Sequence, residues 1–217
     1  MAVTPDSTRV YVVYNSGMLA VIDAATNTVT ATTPLAGGAT QIALNPAGTR
    51  GYVTIPNDQT IAVIDTATNG VVAVIHGITT QAIAVNPAGT EVYTPDFGGF
   101  TDVISTSTNS VVGTITGAGG VGAGVGFNPV GTRAYVPTNG TGTNLSTIDT
   151  TSRTVVDTSS VLQSGSHLLD VSLTTGLIYV ANTDSNTVSV VRDTPLPPAT
   201  VTLSPAAGVD PVGRRTR

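Results

Sequence analysis

Hydrophobic and polar residues alternate in short blocks along this chain. Between residues 40 and 75, four apolar runs of six residues stand apart from one another: TQIALN, RGYVTI, TIAVID and GVVAVI. The segments PAGT, PNDQ and TATN separate them, and these residue types favour tight turns. Runs this short, rich in β-branched residues and bounded by turns, predict four antiparallel strands.

The four-strand pattern recurs with a nearly constant period. The segments TPDSTRVYV, NPAGTRGYV, NPAGTEVYT and NPVGTRAYV are copies whose prolines lie at 5, 46, 87 and 129, and SLTTGLIYV (172–180) is a fifth copy without proline. Such units predict an all-β fold, a β-propeller of four-stranded blades. We expect about five blades, either as a complete ring or as part of a seven-bladed one. The repeats span residues 1–194, and the Pro-rich residues 195–217 form a last strand, a linker or a tail.

Composition narrows the function classes. Charged residues make up 10% of the chain, the formal net charge is −5, and there is no cysteine. The lack of cysteine excludes disulfides and thiolate metal sites. The negative net charge argues against nonspecific binding to nucleic-acid phosphates, which depends on clustered basic side chains. Neither a signal peptide nor an apolar run of membrane-spanning length is recognisable, so we expect no membrane span.

The repeats resemble those of the YVTN-repeat β-propeller family. The resemblance lies in Tyr52-Val53-Thr54, in Tyr179-Val180-Ala181-Asn182 and in Asn45-Pro46-Ala47-Gly48, and it covers residues 2 to 193. It implies a bacterial protein that is secreted, periplasmic or on the cell surface. Members usually have seven blades, and the family is sometimes grouped with lactonase-like and quinoprotein-like propellers.

One stretch imitates a nucleotide-binding motif. Gly117, Gly119 and Gly122 have the spacing G-x-G-x-x-G, but GVGFNP follows, which predicts a short strand and a turn. A dinucleotide site needs a helix there, whose N-terminus meets the pyrophosphate. We therefore interpret the glycines as permitting a sharp reversal and a close approach of backbones near the crowded axis, and we expect no cofactor.

The recurring acids and the two histidines receive structural interpretations. Asp23, Asp65 and Asp149 end the third strand of their blades, and we expect each carboxylate to accept backbone N–H groups of the following turn. His76 ends an outer strand, and His167 precedes the innermost strand of the fifth blade. With no acidic cluster beside them, neither catalytic residues nor a metal site is predicted.

The two ends of the repeats differ in their variability. At one end the turns are near copies, whereas at the other the loops change from blade to blade, and such loops carry function in rigid scaffolds. The candidate binding residues at this variable end are Gln41, Asp58, Gln81, Asp96, Phe97, Phe100, Asn139, Asn144, His167 and Asp184. An alternative interpretation of the two phenylalanines is that they cover a neighbouring blade. The acidic loop 182–186 has some features of a calcium loop, but we interpret it as an ordinary turn.

The favoured function is a noncatalytic scaffold or binding module for a protein or cell-surface ligand. Enzymatic activity stays open, with a lactonase-like or quinoprotein-like propeller as the first alternative. A nucleic-acid-binding propeller is the second, motivated by Arg9, Arg50 and Arg133 at equivalent positions, although the net charge makes it the weakest. If the ring is incomplete, self-association is expected as well.

Overall fold

The computed structural model describes residues 1–120, 124–138 and 143–193, which form five antiparallel sheets. In this described part the only helical element is a single 3-10 turn, Pro56–Asp58. The sheets are the blades of a β-propeller, and their innermost strands surround one central cavity. The prediction of an all-β propeller is therefore confirmed.

Each blade runs outward from its first strand to its last. Blade 1 consists of β1 (Ala2–Val3), β2 (Arg9–Tyr14), β3 (Met18–Asp23) and β4 (Thr28–Pro34), and blade 2 of β5 (Ile42–Leu44), β6 (Arg50–Ile55), β7 (Thr60–Asp65) and β8 (Val71–His76). Blade 3 consists of β9 (Ala84–Val85), β10 (Glu91–Pro95), β11 (Phe100–Ser105) and β12 (Ser110–Thr116). Blade 4 consists of β13 (Gly126–Phe127), β14 (Arg133–Thr138), β15 (Asn144–Asp149) and β16 (Thr154–Ser159), and blade 5 of β17 (Ser166–Val171), β18 (Leu177–Asn182) and β19 (Thr187–Arg192).

The predicted strands of the second repeat match the structure closely. The runs predicted at 50–55 and 60–65 coincide with β6 and β7, while the flanking runs differ from β5 and β8 by one or two residues at each end. Residues 195–217, for which the sequence predicts a last strand, a linker or a tail, lie outside the described residues.

The hydrophobic core lies between the blades. Both faces of a blade are apolar because each face packs on a neighbour, so the strands lack the simple alternation of a half-exposed sheet. Four buried clusters join consecutive blades, and Tyr11, Tyr52, Tyr93 and Tyr135, one in each of the first four blades, are all at most 1% exposed. Each of these tyrosines packs toward the next blade, as the edge-to-face contact of Tyr93 with Phe127 shows.

Blade 5 is an exception to the packing of both faces, because the face that it turns away from blade 4 carries exposed apolar side chains. Tyr179, the counterpart of the four buried tyrosines, is 41% exposed, and Val190, its partner on the neighbouring strand, is 57% exposed. On the facing side of blade 1, Tyr14 is exposed, whereas its counterpart Ile55 is buried. Within the described residues, therefore, no buried apolar cluster joins blade 5 to blade 1.

Candidate functional site

The turns at one end of the propeller, here called the turn face, are held by their own polar side chains. Asp65 Oδ1 accepts hydrogen bonds from the amides of Ala67 and Thr68 at 2.9 and 3.0 Å, and Asn69 takes a left-handed conformation with φ of 57°. These N–H groups, the amide of Thr68 first, lower the pKa of the Asp65 carboxyl. Asp23 and Asp149 bond to the turns after them in the same way. The structural interpretation of the recurring acids is thereby confirmed.

The arginines of the same face also have partners within the protein. Arg50 forms an ion pair with Asp65 at 2.5 Å, Arg133 pairs with Asp193, and Arg9 donates to the carbonyl oxygen of Thr66. An arginine that already holds a carboxylate or a carbonyl oxygen offers fewer donors to a phosphate. The observation that motivated the nucleic-acid alternative is thus explained by contacts within and between blades.

The opposite end, here called the loop face, carries an ordered aromatic loop at residues 96–100. Asp96 Oδ1 accepts hydrogen bonds from the amides of Gly98 and Phe100 at 2.9 and 2.8 Å, which closes the loop on itself. Phe97 is 37% exposed and Phe100 is 40% exposed. Both phenylalanines therefore present part of their apolar surface at the loop face, and neither is folded away completely under a neighbouring blade.

The glycine-rich segment supports this loop from below. A Cβ atom on Gly119 would lie 2.4 Å from the carbonyl oxygen of Phe100, a distance that only a glycine allows. The amide of Gly117 donates to the carbonyl oxygen of Gly99, and that of Gly120 to the carbonyl oxygen of Asp96. The sequence predicts this close backbone approach near the axis, but the structure places it against Gly99 and Phe100, at the start of the third strand of blade 3. β13 follows where a nucleotide site would need a helix. The third glycine of the motif, Gly122, lies outside the described residues.

The remaining predicted residues are distributed over several loops. Gln81 and His167 border one shallow depression of about 370 Å³, together with Thr40, Ala82, Leu168 and Thr183. The structure therefore brings these two side chains to one place near the axis. Gln41, another candidate of this end, accepts a hydrogen bond from the amide of Ile83 through its Oε1 at 3.1 Å and ties blade 2 to blade 3.

The other polar candidates stand on separate blades. Asp58 is exposed on the 3-10 turn of blade 2, and Asp184 is exposed in blade 5, where it accepts a hydrogen bond from the Ser164 hydroxyl at 3.2 Å. Asn144 accepts a hydrogen bond from Ser160 at 2.5 Å. Asn139 lies outside the described residues. The three described residues, Asp58, Asn144 and Asp184, belong to blades 2, 4 and 5 and therefore do not converge on one point.

Sequence reasoning missed a cavity on the propeller axis. This axial cavity has a volume of about 630 Å³ and opens between the innermost strands of all five blades, toward the turn face. Its lining consists of Ala2, Val3, Pro5, Leu44, Asn45, Pro46, Ala84, Val85, Pro87, Val125, Gly126, Phe127, Pro129, Leu169, Asp170, Val171 and Leu173. Asp170 is the only charged residue among them. The signal that could have revealed it is a break in the repeat, because Asp170 stands where the other blades have Ala or Gly.

The described residues contain neither a cluster of metal-ligating side chains nor a membrane-spanning helix. Nowhere in this part of the chain do three or more His, Cys, Asp or Glu side chains form a group that could hold a metal ion. The same residues include no helix with the length and apolarity to cross a membrane.

Comparisons with known proteins identify the fold but not a family. No protein-family model matches the chain, and a search of curated proteins finds no match. Among solved structures, the chain is similar to Kuenenia stuttgartiensis hydrazine synthase, with a TM-score of 0.72 and 19% identity. The similarity covers 88% of this chain and 64% of that chain. As 1512 solved chains match, the propeller architecture is widely shared, and at this identity the likeness shows the fold alone.

Proposed function

We propose that this β-propeller is a noncatalytic binding module that recognises a protein ligand through its loop face. The observation that carries the proposal is the ordered aromatic loop, in which Phe97 and Phe100 remain partly exposed while Asp96 holds their backbone. Partly buried aromatic side chains on a rigid support are the residues that most often dominate binding energy at protein interfaces.

The loop is preorganised, which favours affinity. Its backbone is bonded both within itself, through Asp96, and to the segment below, through Gly117 and Gly120. Little conformational entropy is then lost when a ligand binds, so more of the contact energy contributes to affinity. The depression beside Gln81 and His167 supplies polar groups near the axis on the same face.

The turn face offers a contrast that supports the choice of surface. There the carboxylates, the amides of the Asn45-type turns and the arginines are engaged in bonds within the propeller. Polar groups that already have protein partners contribute less to a new interface, because binding would have to break those bonds. The lactonase-like, quinoprotein-like and nucleic-acid-binding alternatives gain no supporting observation from the described residues.

A selection experiment tests this proposal. Peptides selected from a displayed random library on the wild-type chain would be measured against the double variant Phe97→Ser with Phe100→Ser. The matched control is Val130→Ser with Val156→Ser, which removes exposed apolar side chains from the turn face and from an outer strand. We expect at least a tenfold rise in Kd, about 1.4 kcal/mol, for the loop variant only. Selected peptides that bind the loop variant and the wild type equally would refute the proposal.

Two finer features belong to the same proposal. We infer from the Tyr-Val-Thr and Asn-Pro-Ala-Gly segments that the repeats are related to those of the YVTN family, and from that relation that the protein acts outside the cytoplasm of a bacterium. Fractionation of source cells, followed by detection with an antibody against this chain, tests the location. Signal confined to the cytosolic fraction would rule that location out.

A further inference from the structure

The axial cavity is built from two apolar layers that repeat around the ring. The outer layer, nearest the turn face, contains Pro5, Pro46, Pro87, Pro129 and Leu173, and the next layer contains Val3, Leu44, Val85, Phe127 and Val171. Each layer takes one residue from each of the five blades. The cavity is therefore a product of the closely spaced innermost strands and is not a groove on one blade.

One position in this cavity breaks the repeat. Ala43, Ala84 and Gly126 each pair with the tyrosine of the neighbouring strand in blades 2, 3 and 4, and Ala2 does so in blade 1. In blade 5 the residue paired with Tyr179 is Asp170. Small side chains fit the crowded axis, so a carboxylate at this place departs from what packing requires.

The carboxylate of Asp170 is available to a ligand. Its Oδ1 accepts a hydrogen bond from the amide of Val171 at 2.8 Å, and no described residue forms an ion pair with it. Asn45 is the only other polar residue of the lining. Its Oδ1 accepts hydrogen bonds from the amides of Thr49 and Arg50 in the turn that follows it. The cavity thus combines an apolar wall with a single negative charge.

We propose that the axial cavity binds a small organic cation, a primary ammonium group on an apolar body. The ammonium group would donate to the Asp170 carboxylate, while the apolar body would lie against Val85, Phe127 and Leu44. A volume of about 630 Å³ is typical of cavities that hold small molecules. A net charge of −5 favours the approach of cations. This inference is independent of the binding proposed for the loop face, because it concerns the other end of the axis.

A metal ion fits this site less well than an organic cation does. Calcium and magnesium require several oxygen ligands, and the lining supplies one carboxylate among aliphatic side chains. A primary ammonium group is satisfied by one charge-assisted hydrogen bond and by water, and its hydrocarbon part gains from leaving water.

The test compares three probes that share one skeleton and differ in charge. Calorimetric titration of the full chain with 4-phenylbutylamine, 4-phenylbutanol and 4-phenylbutyrate separates the contribution of the charge from that of the apolar body. The variants are Asp170→Asn, which removes the charge at constant shape, and Asp157→Asn, a control on an exposed outer strand. Asp170→Ala provides a second variant, since it restores the residue type found in three other blades.

We expect the amine to bind at least tenfold more tightly than the alcohol and the acid. Both substitutions at position 170 should reduce amine affinity about tenfold and leave the alcohol unchanged, while Asp157→Asn should change neither. Equal affinity of the amine and the alcohol, amine binding that survives both substitutions at position 170, or no binding of the amine at millimolar concentration would each overturn the proposal.

Discussion

The hydroxyl group of Tyr11, in blade 1, donates a hydrogen bond to Oδ1 of Asn69, in blade 2, at 2.7 Å. Asn69 occupies the left-handed position of its turn, so a residue that shapes one blade also receives the tyrosine of the blade before it. A turn residue therefore has two roles, one local and one between blades.

The tyrosines provide the first prediction. Tyr93→Ala should lower the free energy of unfolding by about 3 to 5 kcal/mol, because a fully buried aromatic side chain is lost from between two blades. Tyr179→Ala, at the equivalent position, should cost roughly 1 kcal/mol or less, since that ring is largely uncovered. Urea denaturation followed by circular dichroism measures both. Equal losses of unfolding free energy would mean that the face of blade 5 that carries Tyr179 is covered in solution.

The segment beneath the aromatic loop provides the second prediction. Gly119→Ala should destabilise the protein by about 1 to 3 kcal/mol, because the new methyl group would meet the backbone of Phe100 at 2.4 Å. Gly37 lies in the corresponding link before blade 2 and has no atom within 4 Å of an added Cβ, so Gly37→Ala is the control. We expect the control to be neutral or slightly stabilising, since alanine restricts the unfolded chain. Thermal melts that shift equally for the two variants would contradict the close approach.

A turn in blade 1 provides the third prediction. Ser7 has a φ of 59°, whereas the equivalent Gly48 and Gly89 have φ of 67° and 72°. Ser7→Gly should therefore stabilise the protein by about 0.5 to 1 kcal/mol, because glycine adopts this conformation without strain. Gly48→Ser should do the opposite, since its side chain would also meet Pro5 at 2.8 Å. Denaturant midpoints measure both changes, and a loss of stability in Ser7→Gly would show that the serine side chain is itself needed.

Asp6 provides the fourth prediction, on pH. The Thr4 hydroxyl and the amide and hydroxyl groups of Thr8 donate to its carboxylate and lower its pKa to about 2. A carboxyl whose pKa is lower in the folded than in the unfolded chain stabilises the fold above the unfolded value, about 3.9. That contribution is lost as the pH falls from about 4 to about 2.

Two measurements check this expectation. Carbon-detected NMR titration should place the midpoint of the Asp6 carboxyl near 2. The stability advantage of the wild type over Asp6→Asn should be constant above pH 4 and should vanish toward pH 2, while Asp157→Asn serves as a control on an outer strand. A midpoint near 4, or an advantage that does not change with pH, would contradict the hydrogen-bonded carboxylate.

Much of this fold could be predicted from the sequence, because a blade is a local structure. The residues that make its turns lie within a few positions of the strands they join, as Asp65 and Asn69 do, so the period and the turn types appear directly in the order of residues. The turn role of the recurring aspartates follows from the same local logic and is confirmed. The close approach of Gly119 was predicted less well, because it occurs against the aromatic loop and not near the axis.

The tertiary structure alone decided what depends on how blades meet. The axial cavity draws one or more residues from each of five blades that are about 40 positions apart, so no short segment contains it. Likewise, Tyr93 and Tyr179 have similar sequence surroundings, yet one is buried and the other exposed, because burial depends on the neighbouring blade. The sequence by itself determined the blade, since hydrogen bonds and turns act over short distances along the chain. The contacts between blades decided which faces are buried and where the cavity lies, since they join residues that are distant in sequence.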